Sequence, residues 1–306
     1  MKRFLSFTLA VVLVFSLVSA SLADSLPVYY KTGSILQPNG ADVQYLDESP
    51  FAEDEELLQI DVLGLVINDC ILITCGGKTM LLDGGEKRQL KEVESYFSSH
   101  GITCPDIFFM THAHDDHCEG QMWLMKNGYT PEMVYTPYTE NDTKYKKWND
   151  YLAVLKDRGI PWTTIDDGDE LTLGSSRMKI YRWNDAHLTE NHHSAAFMLH
   201  FGNAAAFFGA DLPNKSQQVI LQNHDPSEFK CDFYKTCHHA INATDPAFLK
   251  ALDPAFAVIT QGSAGTTAGD PQYKQYHIPC MHIQRTVHLE TNGECWYVWT
   301  EERPKL

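Results

Sequence analysis

The chain reads as an α/β protein in which two packed sheets carry helices on their outer faces. From Leu57 onward, short apolar runs alternate with turn glycines, the pattern of strands separated by tight turns. In the first half helical stretches fall between these runs in strand–helix–strand order, and a second series of strands after Trp162 loosely repeats the layout. With 306 residues, of which 43% are hydrophobic and 21% charged, the chain is long and apolar enough to bury such a core.

Met1-Lys2-Arg3, the apolar stretch from Phe4 to Val18 and the small residues up to Ala23 predict a secretory signal peptide over residues 1–23, cut after Ala23 or Ala20. The protein is therefore expected to be secreted or extracytoplasmic, a retained anchor being the alternative. The apolar run is shorter than the ~20 residues a membrane span needs, and no later stretch reads as one. Residues 24–56 carry Pro27, Pro38, Gly40, Pro50 and the acidic run Glu53-Asp54-Glu55-Glu56, and read as a leader laid on the surface. One domain, residues 57–306, follows.

Strands are expected at Leu57–Leu63, Cys70–Thr74 and Lys78–Leu82. A helix from Lys87 to His100 shows Leu90, Val93 and Phe97 at helical spacing and ends at Gly101. The strand Asp106–Met110, a helix Glu119–Lys126 and the strand Met133–Tyr135 come next. The run Asn141–Arg158 places Tyr145, Trp148, Leu152 and Leu155 on one face, a packing stripe closed by Gly159 and Pro161. Further strands are expected at Trp162–Ile165, Glu170–Leu173, Met178–Trp183, Ala195–Phe201 and Ala204–Phe208, then a helix Gln217–Asn223 and a short strand at Phe233-Tyr234.

The formal charge of −16 becomes −18 once Lys2 and Arg3 leave with the signal. Such a field repels phosphate backbones and disfavours generic nucleic-acid binding. All 8 cysteines lie after residue 23; their even number permits disulfides, but no spacing marks a zinc knuckle or a redox pair. Cys118, beside His117, reads as a buried small residue.

The chemistry concentrates in Thr111–Gly120, where His112, His114, Asp115, Asp116 and His117 crowd together. Side chains in extended chain alternate, so a strand running into this stretch turns His112 and His114 to one side. Asp116 and His117 then face a second point nearby. Two neighbouring metal positions result.

The string His112-Ala-His114-Asp-Asp116-His117 resembles the signature of the metallo-β-lactamase superfamily. That resemblance implies a four-layer αββα sandwich holding one or two zinc ions and acting as a hydrolase. Asp83-Gly84-Gly85 resembles the superfamily's first motif, whose aspartate hydrogen-bonds around the metal loop without ligating. Asp211, after an apolar strand, resembles the acidic ligand that gives one oxygen to each of two cations. Lys235-Thr-Cys-His238-His239-Ala240 resembles the Lys-x-x-His-His-Gly of a branch that includes the hydrolase domain of DNA-uptake competence proteins and phosphorylcholine esterases, with Ala240 in the glycine's place. Asp61–Gly64 with Asp69–Ile73, Asn191-His-His-Ser194, Asp253–Gly262 and Val287–Trp296 resemble other segments of the same branch, whose Asn-x-x-Gly-His-Pro loop is represented only by Ala268-Gly269-Asp270-Pro271.

The resemblance implies metal ligands at His112, His114, Asp116, His117, Asp211 and His239, with His238 a close alternative to His239 and His193 a candidate for a missing donor. Asp116 and His238 are the residues expected to take part in the reaction. Two divalent ions are expected, zinc ahead of manganese or iron. The implied activity is that of an exported hydrolase using a dimetal-bound hydroxide on a phosphodiester or related ester, small or attached to the cell wall. A metal-dependent nuclease and a non-catalytic metal-containing binding module are the alternatives, and β-lactam hydrolysis ranks below them because the third motif differs.

Overall fold

The computed structural model describes residues 25–183, 189–261, 265 and 267–301. The expected signal peptide lies outside the described residues. Among those described, no helix is long and apolar enough to cross a membrane.

The first half comprises β1 (Val28–Lys31), β2 (Gln44–Leu46), β3 (Leu58–Val62), β4 (Ile71–Cys75), β5 (Lys78–Leu82), α1 (Leu90–Ser99), β6 (Ile107–Phe109), α2 (Asp115–Lys126), β7 (Met133–Thr136), α3 (Lys146–Arg158) and β8 (Trp162–Thr164). Then come β9 (Glu170–Leu173), β10 (Ser176–Tyr181), β11 (Ala196–Phe201), β12 (Ala204–Phe208), α4 (Asn214–Asn223), β13 (Phe233–Lys235), α5 (Pro246–Leu252), β14 (Phe256–Ile259), α6 (Asp270–Gln275), β15 (Cys280–His282), β16 (Thr286–Thr291) and β17 (Trp296–Glu301). They build a ten-stranded sheet, β2-β1-β17-β16-β3-β4-β5-β6-β7-β8, and a seven-stranded sheet, β15-β14-β13-β12-β11-β10-β9.

Alternation along the strands sorts the side chains into layers. Leu58, Ile60 and Val62 of β3 and Ile71 and Ile73 of β4 meet Phe197 and Leu199 of β11 and Ala206 and Phe208 of β12 in the core between the sheets. The opposite faces are covered too. Leu72, Leu81 and Phe108 pack beneath α1, α2 and α3 with Phe97, Leu124 and Trp148, while Met198, Phe207 and Tyr234 pack beneath α4 and α5 with Ile220, Phe248 and Leu252. The protein is thus a four-layer αββα sandwich, the architecture that the resemblance implies. The stripe Tyr145, Trp148, Leu152 and Leu155 is buried against this core.

Two features differ from the sequence reading. Residues 24–56, expected as a surface leader, contribute β1 and β2, which extend the larger sheet in parallel from β17 and bury Tyr30. Strands this short leave no readable periodicity, and their partner at Trp296–Val298 lies at the other end of the chain. Helix α2 begins at Asp115, four residues before the expected Glu119, because Asp115 and Asp116 suit the positive end of a helix. All eight cysteines carry free thiols, and Cys118 is buried.

Candidate metal centre

The acidic and imidazole side chains gather where parallel strands of both sheets end. β5 and β6 run parallel, and Asp83 follows one while Thr111 and His112 follow the other. In the smaller sheet β12, β13 and β14 run parallel; Asp211 follows the first, His238 and His239 the second, and Thr260 the third. Ligand sites of α/β sheets favour such carboxyl ends. Backbone bonds lock the loops together: Gly84 N–H donates to His117 O at 2.7 Å, Gly120 N–H to Gly85 O at 2.7 Å, and His238 N–H to Ala210 O at 2.8 Å. A Cβ at position 120 would lie 1.8 Å from Gly84 O, so only glycine allows α2 to approach the Asp83 turn this closely.

Four overlapping groups of donors result. His112, His114 and Asp211 form one and Asp116, His117 and His239 another, while Asp69 joins Asp211 and His239 in a third and Asp83 and His117 in a fourth. Asp211 Oδ2 lies 3.6 Å from His112 Nε2, and Asp211 Oδ1 lies 3.3 Å from His117 Nε2 and 3.5 Å from His239 Nε2. Asp116 Oδ2 is 3.3 Å from His239 Nε2 and 3.8 Å from His117 Nε2. These separations are too long for charged hydrogen bonds, which close to about 2.7–2.9 Å. They match the edge of a tetrahedron around one cation, roughly 3.3 Å for bonds of about 2.0–2.1 Å.

The other ring nitrogens make ordinary hydrogen bonds. His117 Nδ1 lies 2.7 Å from Asp83 Oδ2, His239 Nδ1 lies 2.9 Å from Thr260 Oγ1, and His112 Nδ1 lies 3.1 Å from Thr111 Oγ1. Asp83 also accepts from Thr111 N–H at 2.8 Å and from the Thr111 hydroxyl at 2.7 Å. With that hydroxyl committed to Asp83, it accepts from His112 Nδ1–H. One carboxylate therefore fixes two imidazoles with Nε2 facing inward. Those inward atoms, Nε2 of His112, His117 and His239 together with Asp211 Oδ1, are buried and make no hydrogen bond within the protein. Buried polar atoms without partners are costly, so four converging on one gap are what a cation site requires.

Charge makes the same demand. Asp69, Asp83 and Asp211 are buried, and the one lysine among them is buried Lys235, paired with Asp69. Burial works against the charge on Asp211, yet His117 and His239 hold its carboxyl well below the usual range. Burial likewise opposes a charged His117, but Asp211 and Asp83 prevail and keep it well above its ordinary value; His239 is pushed up to about 9 by Asp211 and Asp69 despite its burial. Burial and the nearby His117 hold His112 well below, as a neutral donor. The buried carboxylates thus favour positive charge at His117 and His239. Divalent cations would supply that charge, and the donor set fits them.

His238 stands at the edge of the first group, its Nε2 3.6 Å from Asp211 Oδ2 and 3.4 Å from Asn191 Nδ2. His193, expected as a further donor, is a correction: it is brought to neither group. Its ring packs 5.5 Å from that of Tyr145 and 6.4 Å from that of Tyr138, because the turn Glu190–His193 points it away from the cleft. Asp69 and Lys235 entered the sequence reading only as members of resembling motifs, with no role of their own, and Thr111, Thr260 and Glu190 were given none. The available signal was a lysine ending the apolar strand Phe233-Tyr234-Lys235 and an aspartate set in Ile67–Ile73, opposite charges in stretches otherwise fit for burial.

No family model matches the chain, and no curated protein does. Among solved structures it is similar to the metallo-β-lactamase fold protein YhfI from Bacillus subtilis (12% identity, TM-score 0.46, 73% of this chain and 94% of that one). It is also similar to CmlA, a diiron β-hydroxylase from Streptomyces venezuelae (16% identity, TM-score 0.43, 72% of this chain), and spans about half of that protein's length, 47%. A B3 metallo-β-lactamase with an active-site glutamic acid is similar at 15% identity and TM-score 0.42, over 64% of this chain and 83% of that one. Likeness at this level carries no activity over to this chain.

Proposed function

We propose that the protein is an exported metal-dependent hydrolase acting on a phosphodiester or related ester. The observation that carries this reading is the set of buried, unpartnered Nε2 and carboxylate atoms converging at cation-edge distances. His112, His114 and Asp211 would hold one divalent ion; Asp116, His117, His239 and the same Asp211 would hold the other. Ions bound there would lower the pKa of a water from 15.7 to about 7 and would stabilise charge developing on the attacked oxygen.

The chain's own residues do the rest. Asp83 holds His117 directly and His112 through Thr111, and Thr260 holds His239, so the imidazoles need no rearrangement when substrate binds. The Asp116 side chain, 28% exposed, reaches from the buried group towards the cleft and serves as proton acceptor. His238, also part-exposed and held by Asn191, contacts the substrate's oxyanion or leaving group. The formal charge of −16 favours a small or wall-attached substrate over long DNA.

The test is hydrolysis of bis-(p-nitrophenyl) phosphate by metal-stripped protein before and after adding two equivalents of zinc or manganese. Turnover that requires metal and is lost in D211N is the expected result. Faster cleavage of DNA than of small esters would move the assignment to a nuclease. Two bound equivalents without turnover on any ester would make the site a binding module.

A further inference from the structure

The second cation position, that of Asp116, His117, His239 and Asp211, is assembled from both sheets. Asp116 and His117 open α2 on the side of the larger sheet, whereas Asp211 and His239 follow β12 and β13 of the smaller one. Where these halves meet stands a buried ion pair, Asp69 with Lys235. Asp69 lies just before β4, and its backbone ties it to the larger-sheet half: its N–H donates to Asp116 O at 3.3 Å and its O accepts from Gly85 N–H at 2.9 Å. Lys235 ends β13, and its Nζ donates to Ala210 O at 3.4 Å, one residue before Asp211. The Asp69 carboxylate also faces both imidazoles from behind. Oδ1 lies 3.4 Å from His239 Nδ1, and Oδ2, the oxygen that meets Lys235, lies 3.8 Å from His117 Nδ1. Oδ1 is buried and makes no hydrogen bond within the protein.

Two of the four donor groups contain Asp69, yet neither makes a further cation position. The Nδ1 atoms that face Asp69 are already engaged, His117 by Asp83 at 2.7 Å and His239 by Thr260 at 2.9 Å. Positive charge is already supplied there by the Lys235 ammonium, which a divalent ion alongside would repel.

We propose that Asp69 and Lys235 are positioning residues for the second cation position; this rests on the two-cation reading above. The ammonium engages one oxygen of Asp69 and keeps that carboxylate behind the ligands instead of among them. From there it favours the tautomers in which Nδ1 of His239 and His117 carries the proton and Nε2 offers its lone pair to the ion. Because the pair joins the two sheets, it also sets the separation between the halves of the position. His112 is oriented through Thr111 instead, so the first position depends on the pair less.

Metal uptake tests this without reference to turnover. Metal-stripped wild type, D69N, the double variant K235M/D69N and E140Q, which breaks only the exposed pair with Lys156, are checked for folding by thermal melts. Each is then titrated with zinc against a competing chromophoric chelator. Visible spectra of the cobalt-loaded proteins are recorded beside that of H239A, which identifies the band of the second position. Wild type and E140Q take two equivalents. D69N and the double variant, which leaves no charge at the pair, keep one equivalent within threefold of wild type and bind the other at least tenfold more weakly. Their cobalt spectra change in the band that H239A removes. If the double variant does not fold, D69N decides alone. Both equivalents within threefold of wild type in the folded variants, with an unaltered cobalt spectrum, make the pair structural only and overturn the assignment. Equal weakening of both equivalents overturns it too, since that marks disruption of the whole site. Fewer than two equivalents in wild type overturn the two-cation reading itself.

Discussion

Asp83→Asn isolates the orienting carboxylate. Asp83 Oδ1 accepts from Thr111 N–H, so in the variant the amide oxygen must keep that place, since an NH2 there would face another donor. The amide nitrogen then falls where Oδ2 stood, 2.7 Å from both His117 Nδ1 and Thr111 Oγ1. His117 Nδ1 becomes an acceptor, its proton moves to Nε2, and the lone pair aimed at the metal is gone. Thr111, now receiving a proton, releases its own towards His112 Nδ1, which reverses that tautomer as well. Loss of an orienting partner weakens metal binding about 10–100-fold, or roughly 1.4–2.8 kcal/mol per cation. D83N should therefore weaken both equivalents, whereas T111V, which breaks only the link to His112, should weaken chiefly the first. Calorimetric titration of the metal-stripped variants measures this, with a thermal melt to verify folding. D83N binding both equivalents within threefold of wild type would refute the tautomer relay.

Other substitutions read other parts of the site. Lys235→Met leaves Asp69 charged and buried without its cation and should cost about 3–5 kcal/mol of stability in a denaturant titration, while the double variant with Asp69→Asn recovers most of it. Gly120→Ala forces α2 away from Gly84 O, which an added Cβ would approach to 1.8 Å; a loss of about 1–3 kcal/mol is expected, with weaker binding of the equivalent held by Asp116 and His117. Unchanged metal binding in a folded G120A would show that helix and turn can separate without moving the donors.

The parts legible in the sequence were those whose physics is local. The donor string from His112 to His117 is contiguous, and the helix stripes and turn glycines have a period that can be counted. Asp211, His238 and His239 could be placed only through resemblance, because nothing local distinguishes a ligating aspartate after an apolar strand from one in a turn. Glu190 received no role, and Asp69 entered only as part of a resembling segment, because their meaning lies in what stands opposite them, His114 and Lys235, which are 76 and 166 residues away. The return of β16 and β17 to the first sheet, and the pairing of β1 with β17, are long-range hydrogen-bond choices that side-chain pattern does not encode.

Backbone conformation explains why residues this far apart aim at one gap. Asp83, Ala210, His238, His239 and Ala240 all carry positive φ, from 43° to 57°, although none is glycine. Each follows the carboxyl end of β5, β12 or β13, where a left-handed residue turns the chain sharply enough to send side chains across the sheet ends rather than along them. The conformation costs about 1–2 kcal/mol per residue for an L side chain, and runs of it occur only where surrounding bonds over-determine it. Here they do: His238 N–H is held by Ala210 O, His239 Nδ1 by Thr260, and Asp83 by three donors. Ala240, in the place where the resembled branch has glycine, keeps φ at 57°, so the left-handed turn survives without the residue that would adopt it most cheaply. Strain is concentrated at the positions that set the direction of Asp211, His238 and His239, and cations held at Asp211 would supply an interaction large enough to offset it.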